Sequence, residues 1–263
     1  MTTQNKPLNV GVFIDGFRRP IREGLQLSAQ LGCGSFQVYV TGGEMLAANM
    51  PAPARADFVS RYRDLGINLS ATCGDFGLNF GNAEAMKAKE PQLVEAIRQT
   101  ADLKTSIMTT HIGSLGKDAT GQVRQTMIGN LKRLCTVAAD HGVTLATETG
   151  LESGPVLRGI LEEADTRGLG VNFDPANLVM NAFDHLQAVR VLFPFIVHTH
   201  AKDGVRRDGQ GREVPLGGGD VNFPAYVALM RELGYDGAYT IEREVGTDPA
   251  SDIRKAVEYL KTL

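Results

Sequence analysis

Two histidines stand two residues apart at the end of an apolar run, in the segment FIVHTHAKDG at residues 195–204. In a β-strand, residues i and i+2 share a face, so His198, His200 and Lys202 should point the same way. The whole chain contains only five histidines. Two imidazoles beside an amine and the carboxylate of Asp203 are groups that could hold a metal ion or a polar substrate.

Polar residues also end four other predicted strands. Glu148 and Asp174 are 26 residues apart, and His200 follows Asp174 at the same interval. Equal spacing in a chain of repeated strand–helix units puts these residues at one height on neighbouring strands. Glu242 comes later because a long loop follows His200, and His111 ends the strand before that of Glu148.

The residue alternation indicates that these side chains face inward. Two and four residues before each of the three carboxylates, the chain carries small or polar residues. The intervening positions, such as Leu145 and Phe173, are bulky and apolar, as positions beneath a helix must be. Three carboxylates around one imidazole would repel each other strongly without a cation. We therefore predict one divalent metal ion, held by Glu148, Asp174, His200 and Glu242. Mostly oxygen ligands suit Mn²⁺, our first choice, or Co²⁺ or Mg²⁺, with Zn²⁺ as a further candidate.

Each of these residues has a plainer interpretation when it is taken alone. Asp174 precedes a proline and could cap the next helix. His198 lies one layer deeper than His200, and we interpret it as a buried, hydrogen-bonded core residue. Lys202 and Asp203 could form an ion pair within a loop, and Arg206 could be solvated. The joint occurrence of four ligand types at strand ends favours the metal site.

The elements that must position these residues alternate strictly between strand and helix. Alternation argues for a parallel sheet with helical crossovers, and eight units in this length match a closed (β/α)8 TIM barrel of α/β class. A doubly wound open sheet is the rival, but no GxGxxG follows the first strand. We predict one domain over residues 1–263. The predicted strands are 8–14, 36–40, 67–73, 105–111, 143–148, 169–174, 195–201 and 237–242. The predicted helices are 20–31, 53–65, 90–104 with Pro91 in its first turn, 120–141, 154–167, 184–192, 223–233 and 249–261.

One long segment, residues 202–223, is predicted to be irregular. A loop of this length inside a compact domain is usually functional or mobile. We expect residues 202–207 to line the mouth of the site and the second half to anchor the chain, with Asp220 or Asn222 capping the following helix. The alternative is that the segment packs on a partner subunit in a homo-oligomer.

Composition narrows the class of protein. The chain has 263 residues, of which 43% are hydrophobic and 22% are charged, with a net charge of −3. This balance is typical of a globular protein and supplies no strong positive field for nucleic acid or an acidic membrane. No apolar run reaches the roughly 18 residues of a membrane span, and the N-terminal run is too short for a signal segment. Three widely spaced cysteines make no disulfide framework. We expect a cytoplasmic protein with a small-molecule substrate.

Four motifs in the second half of the chain resemble the xylose isomerase-like barrels, also called AP endonuclease family 2. The motifs are LATETG (145–150), VNFDPAN (171–177), HTHAKD (198–203) and YDGAYTIERE (235–244). The family includes ketose 3-epimerases, inosose isomerases and dehydratases, hydroxypyruvate isomerases and endonuclease IV. The resemblance extends over essentially the whole chain. It implies a TIM barrel in which the positions of Glu148, Asp174, His200 and Glu242 hold one divalent ion.

Two positions depart from the ketose 3-epimerase pattern. Those enzymes carry a histidine that contacts sugar oxygens three residues after the sixth-strand aspartate, where this chain has Asn177. They also carry a glutamate six residues after the fifth-strand ligand, where this chain has Gly154 with Glu152 nearby. Arg206 matches an arginine that contacts substrate in the same enzymes. The multi-zinc DNA-repair branch needs more His and Asp ligands than this chain shows.

The metal set and the resemblance together imply a divalent-metal-dependent isomerase or epimerase acting on a sugar, a sugar phosphate or an inosose. A metal-bound carbonyl favours deprotonation to an enediolate. Two carboxylates with separate roles can then remove and return the proton. The catalytic residues would be Glu148 and Glu242, and the substrate would contact His111, Asn177, Lys202 and Arg206. The alternative is a lyase or dehydratase on a keto-sugar or inosose. A barrel that only binds a sugar or metal, or that serves as a subunit of a complex, is a further alternative.

Overall fold

Eight parallel strands close into a barrel in the computed structural model, which describes residues 7–115 and 121–263. The strands are β1 (Asn9–Phe13), β2 (Ser35–Tyr39), β3 (Asn68–Cys73), β4 (Ile107–Thr110), β5 (Thr144–Glu148), β6 (Leu169–Phe173), β7 (Ile196–Ala201), β8 (Asp203–Arg207), β9 (Gln210–Val214) and β10 (Ala238–Ile241). Strands β8 and β9 form a separate antiparallel pair, and the barrel order is β1-β10-β7-β6-β5-β4-β3-β2. The predicted (β/α)8 fold is confirmed.

Helices follow the barrel strands and cover them from outside. They are α1 (Ile21–Gln30), α2 (Ala52–Asp64), α3 (Ala83–Asp102), α4 (Gln122–Asp140), α5 (Gly154–Ala164), α6 (Pro175–Met180), α7 (His185–Leu192), α8 (Phe223–Leu233) and α9 (Pro249–Leu260). Among the described residues, no helix combines the length and the apolar character that crossing a membrane requires.

The main core lies between the barrel and its helices. Phe173 on β6 is fully buried and stacks on Tyr226 of α8, with 5.7 Å between the ring centroids. Val171 and Leu145 are also buried in this layer, as their alternation predicts. Burying one such large apolar side chain contributes about 1.5–3 kcal/mol, so the outward residues of the strands supply the stability that holds the barrel closed.

Helix α3 begins seven residues earlier than predicted. Asn82 caps it, since its side-chain oxygen accepts a hydrogen bond from the Ala85 backbone N–H at 3.0 Å. Pro91 therefore lies inside the helix, and its placement in a first turn is wrong. The residues before Pro91, AEAMKAKE, are strong helix formers, and a cap upstream of them outweighs the local cost of the proline.

The first half of the segment 202–223 is a β-hairpin, so the prediction of an irregular segment is wrong there. Strands β8 and β9 pair antiparallel and are joined by Asp208 and Gly209, which have φ angles of 52° and 77°. Two adjacent residues with positive φ form the turn type that matches the twist of a hairpin, and Asp-Gly is a favoured sequence for it.

The second half of the segment is organised around one buried carboxylate. Asp203 accepts hydrogen bonds from the backbone N–H groups of Gly204, Gly217, Gly219 and Val221 at 2.8–3.2 Å. A side chain at Gly219 would collide with this carboxylate, since its Cβ would lie 2.0 Å from Oδ1. Of the two residues expected to cap α8, Asn222 does so.

We predict that Asp203→Ala lowers the free energy of unfolding by about 3 kcal/mol, because four backbone donors lose their acceptor in a buried loop. Asp220→Ala is the matched control. Its exposed carboxylate pairs with Arg207, and such surface pairs contribute little. Urea unfolding followed by circular dichroism measures both variants, and equal destabilisation by the two would contradict the role given to Asp203.

Candidate metal centre

Four side chains meet at the C-terminal end of the barrel. Glu148 is the last residue of β5, His200 lies in β7, and Asp174 and Glu242 directly follow β6 and β10. One ligand atom from each lies within 4.8 Å of the others. Nδ1 of His200 is 3.5 Å from Glu148 Oε1, 3.7 Å from Asp174 Oδ2 and 3.3 Å from Glu242 Oε2. This cluster has the residue types and the spacing to hold one metal ion.

The carboxylate of Asp174 tests whether a metal ion fits. The residue is fully buried, and Oδ1 accepts the backbone N–H of Asn177 at 2.9 Å, so Asp174 does cap α6. Oδ2 is buried without any hydrogen-bond partner among the described residues, although Lys202 Nζ lies 3.9 Å away. A buried carboxylate oxygen without a partner is costly, and a bound cation would satisfy it. Oδ1 is therefore used for capping, and Oδ2 is the oxygen that would be free to bind a metal ion.

The charges of the cluster balance with a divalent ion. Lys202 is 3% exposed, and Nζ donates a hydrogen bond to Glu242 Oε2 at 2.8 Å and another to Glu244. Burial would lower the pKa of Lys202, but the carboxylates of Glu242 and Asp174 hold it well above its usual value. One ammonium and one divalent cation together offset three carboxylates, with the imidazole of His200 neutral.

Without an ion, the imidazole of His200 supplies part of the positive charge that offsets the carboxylates. Burial opposes a charge on His200, yet Glu242 and Glu148 raise its pKa well above the ordinary value. The same pairing acts in reverse on Glu242. Its burial would raise the pKa, and His200 and Lys202 hold it far below the ordinary value. Glu242 is therefore held in the ionised form, which is the form that ligates metals.

Glu148 is oriented by two amides and, through one of them, by His198. Its Oε2 accepts from Asn172 Nδ2 at 3.0 Å, and its Oε1 accepts from Asn177 Nδ2 at 2.9 Å. Because the carboxylate can only accept, Asn172 turns its oxygen toward Nδ1 of His198 at 2.8 Å, and this nitrogen carries the proton. Nε2 of His198 then accepts from Thr240 at 3.0 Å. Burial and the nearby cationic His200 hold the pKa of His198 well below its ordinary value. The interpretation of His198 as a satisfied buried residue is confirmed.

His111 borders the cluster and is oriented by a residue that the sequence analysis missed. Its Nδ1 is 2.8 Å from Asp75 Oδ2, and its Nε2 is 3.7 Å from Glu148 Oε1. Asp75 follows the end of β3, so the strand-end rule could have found it. The negative charge of Glu148, together with that of Asp75, raises the pKa of His111 to about 9 against the effect of burial.

Lys202 and Arg206, the two substrate contacts expected from residues 202–223, lie in different surroundings. Lys202 lies at the cluster and does not pair with Asp203, so the interpretation of the two as an ion pair within the loop is wrong. The guanidinium of Arg206 donates to the carbonyl of Met180 at the end of α6 and fastens the hairpin there. A contact between Arg206 and substrate stays a prediction.

A cavity of about 220 Å³ opens beside Glu242, lined in part by Phe13, Asp15 and Tyr39. The ring centroids of Phe13 and Tyr39 are 4.6 Å apart, and those of Phe13 and His200 are 6.0 Å apart. This volume is below that of pockets for drug-sized ligands and suits a smaller polar molecule. Asp15 follows the end of β1 and was not singled out from the sequence.

We predict that His200→Asn weakens Mn²⁺ binding by more than about 100-fold, because it removes a ligand atom, whereas supporting residues cost about 10- to 100-fold. His198→Asn should weaken binding by less than about 10-fold, since asparagine can still donate to the amide of Asn172. Isothermal titration calorimetry measures both. The reverse order would place the ligand one layer deeper in the barrel than we infer.

The family comparison covers most of the chain. Residues 25–263 match the sequence model of the family described as xylose isomerase-like TIM barrel. The L-ribulose-5-phosphate 3-epimerase UlaE of Escherichia coli is 25% identical to this chain, and the match covers 91% of this chain and 88% of the relative.

Solved structures agree on the fold. A xylose isomerase domain protein from Planctomyces limnophilus superposes with a TM-score of 0.85 at 24% identity, covering 98% of this chain and 97% of the other. A probable 3-DHS dehydratase, AsbF from Bacillus anthracis, gives a TM-score of 0.80 at 16% identity, covering 96% and 98%. The chain belongs to the xylose isomerase-like TIM barrel family.

Proposed function

We propose that this protein is a divalent-metal-dependent isomerase or epimerase of a small sugar. The observation that carries the proposal is the convergence of four ligand residues, with one atom of each within 4.8 Å of the others, around a buried carboxylate oxygen that has no hydrogen-bond partner in the described part of the chain. The relatives support the choice of chemistry, because they include a 3-epimerase of L-ribulose 5-phosphate. A keto-sugar presents a carbonyl beside a hydroxyl, which are the groups that this site would bind.

Glu148, Asp174, His200 and Glu242 would hold the ion, with Mn²⁺ as the first choice and Co²⁺, Mg²⁺ or Zn²⁺ as alternatives. A divalent ion supplies a Lewis acid that polarises the sugar carbonyl and stabilises the charge of an enediolate. The donor set of three carboxylates and one imidazole fits the oxygen-preferring members of that group best.

The chain itself supplies the proton transfer. Glu148 and Glu242 approach the cluster from β5 and β10, which are separated by β6 and β7 in the barrel. His200 and Lys202 keep Glu242 ionised, and His200 and His111 lower the pKa of Glu148 against its burial. Two ionised carboxylates on different sides of a substrate can remove a proton from one face and return it to the same or the opposite face. This pair therefore accounts for isomerisation and for epimerisation.

His111 and Asn177 would bind the substrate oxygens. Asp75 engages Nδ1 of His111, so the other nitrogen is directed toward the cluster. With its raised pKa of about 9, the imidazole can donate a hydrogen bond or a proton to an oxygen that becomes negative. Asn177 already donates to Glu148, and it can offer its remaining amide hydrogen and its oxygen to a hydroxyl.

A lyase or dehydratase is the second candidate, because Asn177 stands where the ketose 3-epimerases that the chain resembles carry a histidine. It would share the first deprotonation, after which a hydroxyl or alkoxy group at the β-carbon would leave. The two functions differ in their product, which is a rearranged sugar in one case and an unsaturated ketone with released water or alcohol in the other.

We predict that Mn²⁺-loaded protein exchanges the hydrogen next to the carbonyl of a ketose, ketose phosphate or inosose for deuterium in heavy water. Glu242→Gln should slow this exchange by at least about 100-fold, because it removes a carboxylate that binds the metal and transfers protons. Glu258→Gln, an exposed glutamate on α9, is the control and should leave the rate unchanged.

Mass spectrometry measures the exchange, and the product separates epimerase from lyase. Full exchange after removal of the metal with a chelator would contradict the proposed function. Exchange that continues in Glu242→Gln at the wild-type rate would contradict the role of that residue.

A further inference from the structure

One buried amide links the metal centre to the opposite wall of the barrel. Gln37 lies in β2, and its side chain is fully buried inside the barrel. Its oxygen Oε1 is 2.9 Å from Nε2 of His200, and its nitrogen is 2.8 Å from the hydroxyl of Thr109 on β4. That hydroxyl is 3.4 Å from the main-chain carbonyl of Thr72 on β3. The chain of contacts thus joins four strands.

The direction of each hydrogen bond in this series of contacts follows from the Thr72 carbonyl at its end. The carbonyl of Thr72 can only accept, so the hydroxyl of Thr109 donates to it. The oxygen of Thr109 then accepts from the amide nitrogen of Gln37, which turns the amide oxygen toward His200. An oxygen of an amide can only accept, so Nε2 of His200 must carry a proton.

The other amide near this ring cannot replace Gln37. Asn172 approaches Nε2 of His200 to 3.2 Å, but only with its nitrogen. That nitrogen donates to Glu148, and the Asn172 oxygen accepts from His198. Neither atom is an acceptor for the His200 proton. Among the described residues that contact this nitrogen, Gln37 supplies the acceptor.

We propose that Gln37 is a positioning residue that selects Nδ1 of His200 as the nitrogen that binds the metal. With a proton held on Nε2, Nδ1 is the ring nitrogen left for a metal ion, and it lies within 3.7 Å of an oxygen of each of Glu148, Asp174 and Glu242. Such partners of ligating histidines fix both the proton position and the ring orientation. The role rests on the proposed metal-dependent function.

Replacing the amide by a hydrocarbon of similar size removes this selection. Gln37→Leu should weaken Mn²⁺ binding by about 10- to 100-fold, the range for loss of a partner that orients a metal ligand. Gln37→Glu keeps an oxygen acceptor at the same reach and should restore the affinity to within about 10-fold of the wild type. Recovery by Gln37→Glu separates loss of the acceptor from general damage to the barrel.

A second buried glutamine gives a matched control. Gln99 on α3 is also fully buried, and its amide donates to the main-chain carbonyl of Met45, away from the cluster. Gln99→Leu should lower the midpoint of thermal unfolding as Gln37→Leu does, but leave the affinity for Mn²⁺ unchanged. Equal losses of affinity in the two leucine variants would overturn the proposal, since the effect would then follow from stability alone.

A spectroscopic measurement tests the hydrogen bond without any activity. In ¹⁵N NMR spectra of Zn²⁺-loaded protein, Nε2 of His200 should carry the proton and Nδ1 should bind the metal. In metal-free protein, the Nε2 proton should exchange with solvent about tenfold faster in Gln37→Leu than in the wild type, as expected for loss of one buried hydrogen bond. A proton on Nδ1 in the loaded protein, or unchanged exchange in Gln37→Leu, would overturn the proposal. The metal-free measurement stays decisive even if the protein proves to have another function.

Discussion

The concentration of negative charge at one end of the barrel is the constraint on which the rest of the site depends. Glu148, Asp174 and Glu242 are nearly inaccessible to water, and their oxygens converge on a single point. Removing three carboxylates from water costs several kcal/mol for each one unless positive charge replaces the lost hydration. Lys202 supplies one such charge, and a divalent ion at the centre would supply the remainder. The cluster is therefore expensive without a metal and balanced with one.

A rigid scaffold is needed because the like-charged carboxylates repel one another. Parallel strands fix the backbone of each ligand, and interior amides fix the side chains. Asn172 and Asn177 hold the two oxygens of Glu148, and Gln37 holds the imidazole of His200. The interior of the barrel beneath the carboxylate cluster is accordingly polar, and its hydrogen bonds run in defined directions. The apolar core lies outside the barrel, beneath the helices.

The segment after β7 also helps to hold the cluster in place, from the C-terminal end of the barrel. Lys202 reaches into the cluster, while the next residue, Asp203, gathers the backbone of the glycine-rich turn around its carboxylate. On the other strand of the hairpin, Glu213 accepts hydrogen bonds from Arg243 and from the backbone N–H of Glu244. The hairpin thereby stabilises the short stretch of chain that follows β10 and includes Glu242.

The strand-end residues were predictable from sequence because one rule governs them all. Inward alternation and a repeated strand–helix unit bring Glu148, Asp174 and His200 together, whatever the details of packing. Asp75 obeys the same rule and could have been found. Gln37 could not, because it lies within a strand and its partner is 163 residues away, so nothing local marks it.

The two errors in the predicted secondary structure have local causes. The Asp208–Gly209 turn is a local hairpin signal inside a long segment that was predicted to be irregular throughout. The start of α3 depended on weighing a cap at Asn82 against the proline at position 91, and the cap prevailed. Both errors concern the balance of short-range preferences, whereas the barrel itself rests on a periodicity that extends over the described chain.

The central claim is that the cluster holds a metal ion, and anomalous X-ray diffraction from crystals grown with Mn²⁺ tests it most directly. The account predicts one strong anomalous peak per chain, bonded to Nδ1 of His200 and to oxygens of Glu148, Asp174 and Glu242. Asp174 Oδ2, which accepts no hydrogen bond from residues 7–115 and 121–263, should be one of the ligand atoms. A cluster without a peak at saturating Mn²⁺, with Lys202 or a water molecule filling the space between the carboxylates, would contradict it.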